Sequence, residues 1–81
     1  MKNEEKLLAL STAHMPSPNP DFGELRAIKF EEGYIVWPSE PGHGTPEWIA
    51  PIIELAWRSE CTLILLDRDC NDNPDLPMWD W

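Results

Sequence analysis

At 81 residues the chain has material for one small domain, and a chain of that size buries only about 60–65% of the surface that its unfolded form exposes. Fifteen Asp and Glu against six Lys and Arg give a net charge of −9, which repels nucleic-acid phosphates and anionic lipid and argues against direct contact with either. Hydrophobic content is 42%, but the longest apolar runs, Trp48 to Ile53 and Leu63 to Leu66, fall far short of the about 20 residues of a membrane span.

Residues 1–6 carry acids where a secretory signal needs a cationic start, so a cytoplasmic location is expected. In so small a fold a single core supplies only about 3–5 kcal/mol, which leaves a homo-oligomer open. The acidity suits a basic protein partner, which can itself be a nucleic-acid-binding complex; its plainer role is solubility. Cys61 and Cys70 are too few for a disulfide scaffold, and their spacing matches no zinc motif. Cys61 reads as a small core residue at the start of a strand.

In chain order, Leu7-Leu8-Ala9-Leu10-Ser11-Thr12 is too brief for an unaided helix and predicts a first, buried strand. Pro16, Pro18 and Pro20, alternating with Ser17 and Asn19, predict an extended loop, since prolines lack the donors of a helix or ladder. From Phe22 to Phe30 two readings compete: Phe22, Leu25 and Ile28 suit a short helical turn, while Arg26 to Phe30 alternates as a strand does, and strand is preferred for the second half. Glu31-Glu32-Gly33 has turn character, and Tyr34-Ile35-Val36-Trp37 is the clearest strand signal in the chain. An antiparallel hairpin follows from that pair. Pro38 to Gly44 is a second loop, with His43 an exposed histidine within it.

Thr45 as N-cap, Pro46 at the first helical position and Glu47 in the first turn predict a helix from about Pro46 to Ser59. Its buried face carries Trp48, Ile49, Ile52, Ile53 and Ala56. Pro51 removes one helical hydrogen bond, which predicts a kink there or a regular helix that starts nearer Pro51. Thr62 to Leu66 is almost uniformly apolar and predicts a central strand, covered on both faces, beside the first strand. The tail from Asp67 is rich in Asp, Asn and Pro, but Leu76, Met78, Trp79 and Trp81 predict that its end docks on the core. The expected fold is α+β: a three- to four-stranded mixed sheet on one main helix, ordered β-β-β-α-β, with the tail folded back.

Four segments, Ser11-Thr12-Ala13-His14, Gly33-Tyr34-Ile35-Val36, Asp67-Arg68-Asp69 and Leu76-Pro77-Met78-Trp79-Asp80-Trp81, occur in an order that resembles a family of small bacterial proteins. That family carries an STAH motif and a terminal LPxFDW-like motif, and its members ride on plasmids, integrative elements and phages. Met78-Trp79 stand here in place of the more usual apolar residue and Phe. The resemblance implies an accessory role on mobile DNA and supplies no activity. By analogy, small acidic proteins of that setting include inhibitors of host defence systems.

Two groups of residues are candidates for function. If the first strand and the strand at Thr62 to Leu66 are parallel neighbours, Ser11, Thr12 and His14 share a site with Asp67 and Asp69 beyond the carboxyl ends of those strands. There His14 is a candidate base, oriented by Asp67, with Ser11 or Thr12 as nucleophile. No glycine-rich nucleophile elbow or oxyanion hole surrounds those hydroxyls, and the plainer reading is that they bond local backbone where the strands end. The start of a dehalogenase-type phosphatase motif at Asp67 and Asp69 lacks the large domain that must follow it. Asp67, Asp69 and Asn71 begin like a calcium loop, yet Asp72 and Met78 occupy the positions that need Gly and Glu. Moving that frame to Asp69, Asn71 and Asn73 brings in Asp80 but sets Pro74 at the glycine position. No metal site or cofactor is expected.

The leading reading is a non-catalytic binding or inhibitory protein that presents Asp67, Asp69, Asp72 and Asp75 to a basic partner, with Trp57, off the main apolar stripe, as an aromatic contact. A DNA-mimic inhibitor of a CRISPR or restriction complex is its sharpest form. The alternative is a small hydrolase, or a ligand- or metal-binding domain, that uses His14 with Asp67 and Asp69.

Overall fold

The computed structural model of the protein describes residues 6–39 and 44–79, so the expectations for His43, Asp80 and Trp81 lie outside the described residues. Four strands, β1 (Leu7–Leu10), β2 (Arg26–Phe30), β3 (Gly33–Trp37) and β4 (Leu63–Asp67), and one helix, α1 (Ala50–Arg58), follow the expected order. The strands form one sheet in the order β1-β4-β3-β2. The pairing of β1 with β4 is parallel, with Leu10 opposite Leu66. Both other pairings are antiparallel. Among the described residues no helix is long and apolar enough to cross a membrane.

The β2–β3 hairpin turns through Glu31-Glu32, and Gly33 sits where the chain enters β3 against β4. A Cβ at Gly33 would collide with the Leu66 carbonyl. Only a residue without a side chain allows the two strands to approach there.

One face of the sheet holds the core. Val36, Ile64 and Leu66 are fully buried against Ile49, Ile52, Ile53 and Ala56 of the helical segment. A cluster of aromatic rings closes one side: Phe22 lies 4.9 Å from Tyr34 and 5.5 Å from Trp48, centroid to centroid. Trp48 Nε1 donates to Asp21 O at 2.6 Å, and the Tyr34 hydroxyl donates to Pro18 O at 3.1 Å. These two bonds tie the proline-rich loop to the core and satisfy the polar ends of the two side chains.

Several details differ from the sequence reading. The first strand ends at Leu10, not Thr12, and as an edge strand it is buried only at Leu10, with Leu7 52% exposed. Regular helix begins at Ala50 with Ile49 as its cap, which is the start nearer Pro51 and not the one near Pro46, and residues 47–49 form turns. Pro51 explains the shift, because in the first helical turn its missing N–H has no partner to lose. The strand expected at Thr62 to Leu66 starts and ends one residue later, and only one of its faces is covered. Ile64 and Leu66 are fully buried, whereas Leu63 and Leu65 stay half-buried because the single helix screens one side of the sheet. Finally, Leu76 is the tail residue that is buried, while Met78 is 49% and Trp79 36% exposed.

The helix ends in a Schellman arrangement. Cys61 N–H donates to Ala56 O at 2.7 Å and Glu60 N–H to Trp57 O at 3.1 Å, with Glu60 at φ 60°. Glycine is the usual residue at that left-handed position, since a Cβ there meets the backbone. Glu60→Gly is therefore expected to raise stability by about 0.5–1 kcal/mol, read as a higher urea midpoint.

Candidate functional site

The parallel β1–β4 pair sets Leu10 level with Leu66, so the residues that follow each strand leave the sheet side by side. After β1 the chain turns at once. Ser11 caps a short 3-10 turn, Thr12–His14, and its Oγ accepts from Ala13 N–H at 3.0 Å. That bond is the short-range satisfaction expected of a hydroxyl at a strand end. After β4 the chain behaves likewise: Asp67 Oδ1 accepts from Asp69 N–H at 2.8 Å, and Asn73 Oδ1 from Asp75 N–H at 2.9 Å.

His14 joins the two segments. It is fully buried. Its Nδ1 lies 2.8 Å from Pro77 O, and its Nε2 accepts from Asn73 N–H at 2.9 Å. A single tautomer satisfies both partners: the neutral ring with its proton on Nδ1, donating to Pro77 and leaving the Nε2 lone pair for Asn73. Two main-chain bonds extend the junction, from Ser11 N–H to Asn71 O at 3.1 Å and from Trp79 N–H to Ala13 O at 2.8 Å. Leu76, between the two histidine contacts, packs into the core. The tail thus docks through a buried imidazole, main-chain hydrogen bonds and one leucine.

The candidate residues fall into three places. Ser11, Thr12 and His14 do lie at the same end of the sheet as Asp67 and Asp69. With both ring nitrogens bonded to main chain, however, His14 has none directed at the Ser11 or Thr12 hydroxyl, and no hydrogen bond joins it to Asp67 among the described residues. Asp69, Asp72 and Asp75 are exposed along the loop that His14 holds, and Asp67 is half-buried at its start. Trp57 is 49% exposed but stands at the other end of β4, roughly 16 Å away along the strand. There it lines an open cleft of about 390 Å³ with Pro38, Glu60, Cys61 and Thr62. No group of three or more His, Cys, Asp or Glu able to hold a metal occurs among the described residues.

Cys70 lies in the acidic loop as a free thiol. Partial burial, followed by the neighbouring charges of Asp67 and Asp69, pushes its pKa up from the ordinary thiol value. The thiolate is the nucleophilic form, so burial and the two carboxylates act to lower its share at a given pH. Asn73 and Pro77 were not legible as site residues. They act through backbone atoms 59 and 63 positions from His14, and no local spacing announces such contacts.

Residues 7–81 match the family described as "Family of unknown function (DUF5983) C-terminal domain". No curated protein and no solved structure matches the chain.

Two outcomes test this geometry. His14→Phe keeps the ring's bulk but leaves Asn73 N–H and Pro77 O without their partner; it is expected to cost about 1–3 kcal/mol in urea unfolding and to speed hydrogen exchange at the Asn73 amide. In a Cys61→Ser background, alkylation of Cys70 is expected to rise only at a pH above that of an ordinary thiol. Asp67→Asn with Asp69→Asn should move that rise to lower pH, because removing the negative charges stabilises the thiolate.

Proposed function

We propose that this chain, which belongs to the family described as DUF5983 C-terminal domain, is a non-catalytic binding protein that offers carboxylates at fixed positions to a basic protein partner. One observation carries the reading: the buried His14 ring spends both nitrogens on holding the loop from which Asp69, Asp72 and Asp75 project. The junction stabilises the fold, and it also holds the acidic loop in place. Fastening lowers the ordering cost of a complex and sets the spacing of the charges that a partner meets. The net charge of −9 adds long-range attraction for a cationic surface.

The partner's class follows from the charge. A protein that binds nucleic acid carries a basic groove shaped for rows of phosphates, and a rigid row of carboxylates competes for that groove. The phage or mobile-element setting implied by the sequence resemblance extends the reading to an inhibitor of a host defence complex, with a DNA mimic acting on a CRISPR or restriction complex as its sharpest form. Within the cytoplasm such a protein meets its target without crossing a membrane.

Capture from a bacterial lysate at low salt, followed by identification of the retained proteins, tests the reading. A basic nucleic-acid-binding protein should be retained by the wild-type chain, released by raised salt, displaced by duplex DNA, and lost from the Asp67→Asn, Asp69→Asn, Asp72→Asn, Asp75→Asn variant. Recovery of no partner, or of one indifferent to salt and to the four substitutions, would end it.

A further inference from the structure

The cleft at the carboxyl end of α1 lies apart from the acidic loop and its junction. Its volume is about 390 Å³, with apolar walls from Pro38, Trp57 and Cys61 and a polar lining from Glu60 and Thr62. A cleft of that order suits a small ligand group. Two members of the lining depart from what stability alone favours. Trp57 is 49% exposed, although an indole is among the most favourable side chains to bury. Glu60 holds φ 60°, a left-handed conformation that glycine adopts without the strain a Cβ brings. Local strain is thus borne at a carboxylate-bearing residue three positions from an exposed indole, on the wall of the same cleft.

An indole face beside a carboxylate attracts an organic cation, because the ring draws positive charge over its face and the carboxylate neutralises it. The fold shows both kinds of contact with its own cations. The Arg26 guanidinium lies 4.5 Å from the centroid of Trp37. At the cleft's end of the helix, Lys6 Nζ donates to Ser59 O at 2.7 Å, so the partial negative charge of that helix end already holds an ammonium group. Among the described residues no cation lies over Trp57, and neither Lys6 nor Arg58 lines the cleft. We infer that this cleft receives an arginine side chain of the basic partner, its guanidinium stacked on Trp57 and paired with Glu60. That contact presupposes the proposed binding role and lies at the opposite end of β4 from the acidic loop. Arginine suits it better than lysine: a planar guanidinium stacks on the ring while its edge N–H groups meet a carboxylate, and it sheds water more readily than an ammonium.

Titration of the full chain with N-acetyl-arginine N-methylamide at constant ionic strength, with the indole N–H signals followed by NMR, tests this. Loss of one signal in Trp57→Phe identifies that of Trp57. In the wild-type chain it should shift with half-saturation on the order of 10–100 mM. The citrulline analogue, which has nearly the same shape without the charge, should leave it almost unmoved. Glu60→Gln should weaken the arginine response at least about threefold. Glu60→Gly should weaken it as much while raising the urea midpoint, a combination that a purely structural Glu60 does not produce. A Trp57 signal that stays still would overturn the inference. So would a shift of equal size at the other indoles, an equal response to the citrulline analogue, or an arginine response unchanged in both Glu60 variants. The probe needs no partner, so the two readings fail separately: a Trp57 shift without any captured protein removes the acidic-loop reading alone, and capture through the loop without a Trp57 shift removes the arginine site alone.

Discussion

Strand β4 is hydrogen-bonded along both edges, to β1 in parallel and to β3 antiparallel, and every other element takes its place from that strand. It comes from one of the last apolar runs in the chain, so neither the N-terminal strand nor the hairpin can complete the sheet until residues 63–67 arrive between them. The helix makes the crossover that a parallel neighbour requires. Gly33 then allows β3 to close on the Leu66 carbonyl. Because β1 and β4 end at the same level, their outgoing segments are adjacent, and the reach of one imidazole is enough to join them.

That junction connects stability with the surface. His14 is buried without a charged partner and is satisfied wholly by main-chain atoms of the tail, which is how a polar ring is accommodated in an apolar interior. The same two hydrogen bonds hold a loop whose carboxylates face solvent. Cys70 shows the electrostatic result: the field of Asp67 and Asp69, added to partial burial, disfavours a further negative charge in the loop.

The molecule thus presents two surfaces of opposite character. The acidic loop lies beyond the carboxyl end of β4, and the face of the sheet away from the helix carries Leu7, Ile28, Ile35, Leu63 and Leu65, with Arg26 over Trp37. Trp57, in its cleft at the far end of β4, belongs to neither surface.

Much of the fold was legible because its signals are local. Alternation placed β2 at its observed bounds, β-branched and aromatic residues marked β3, and apolar spacing marked the buried face of the helix. Thr45, Pro46 and Glu47 make a plausible cap four to six residues ahead of Pro51, and of the two starts the sequence offered, near Pro46 or nearer Pro51, the structure takes the second because a proline suits the first turn. The tail was expected to dock through Leu76, Met78, Trp79 and Trp81; Leu76 does so while Met78 and Trp79 stay exposed, since hydrophobicity is visible in a sequence and a main-chain hydrogen bond is not. By itself the sequence determined the kinds and order of the elements, the acidity and the proximity of His14 to Asp67 if β1 and β4 were parallel neighbours. Only the tertiary structure decided that the imidazole bonds Asn73 and Pro77 and that one face of β4 stays open. Both depend on which segments share a layer, and contacts between groups about sixty residues apart are set by packing of the whole chain and leave no local pattern to read.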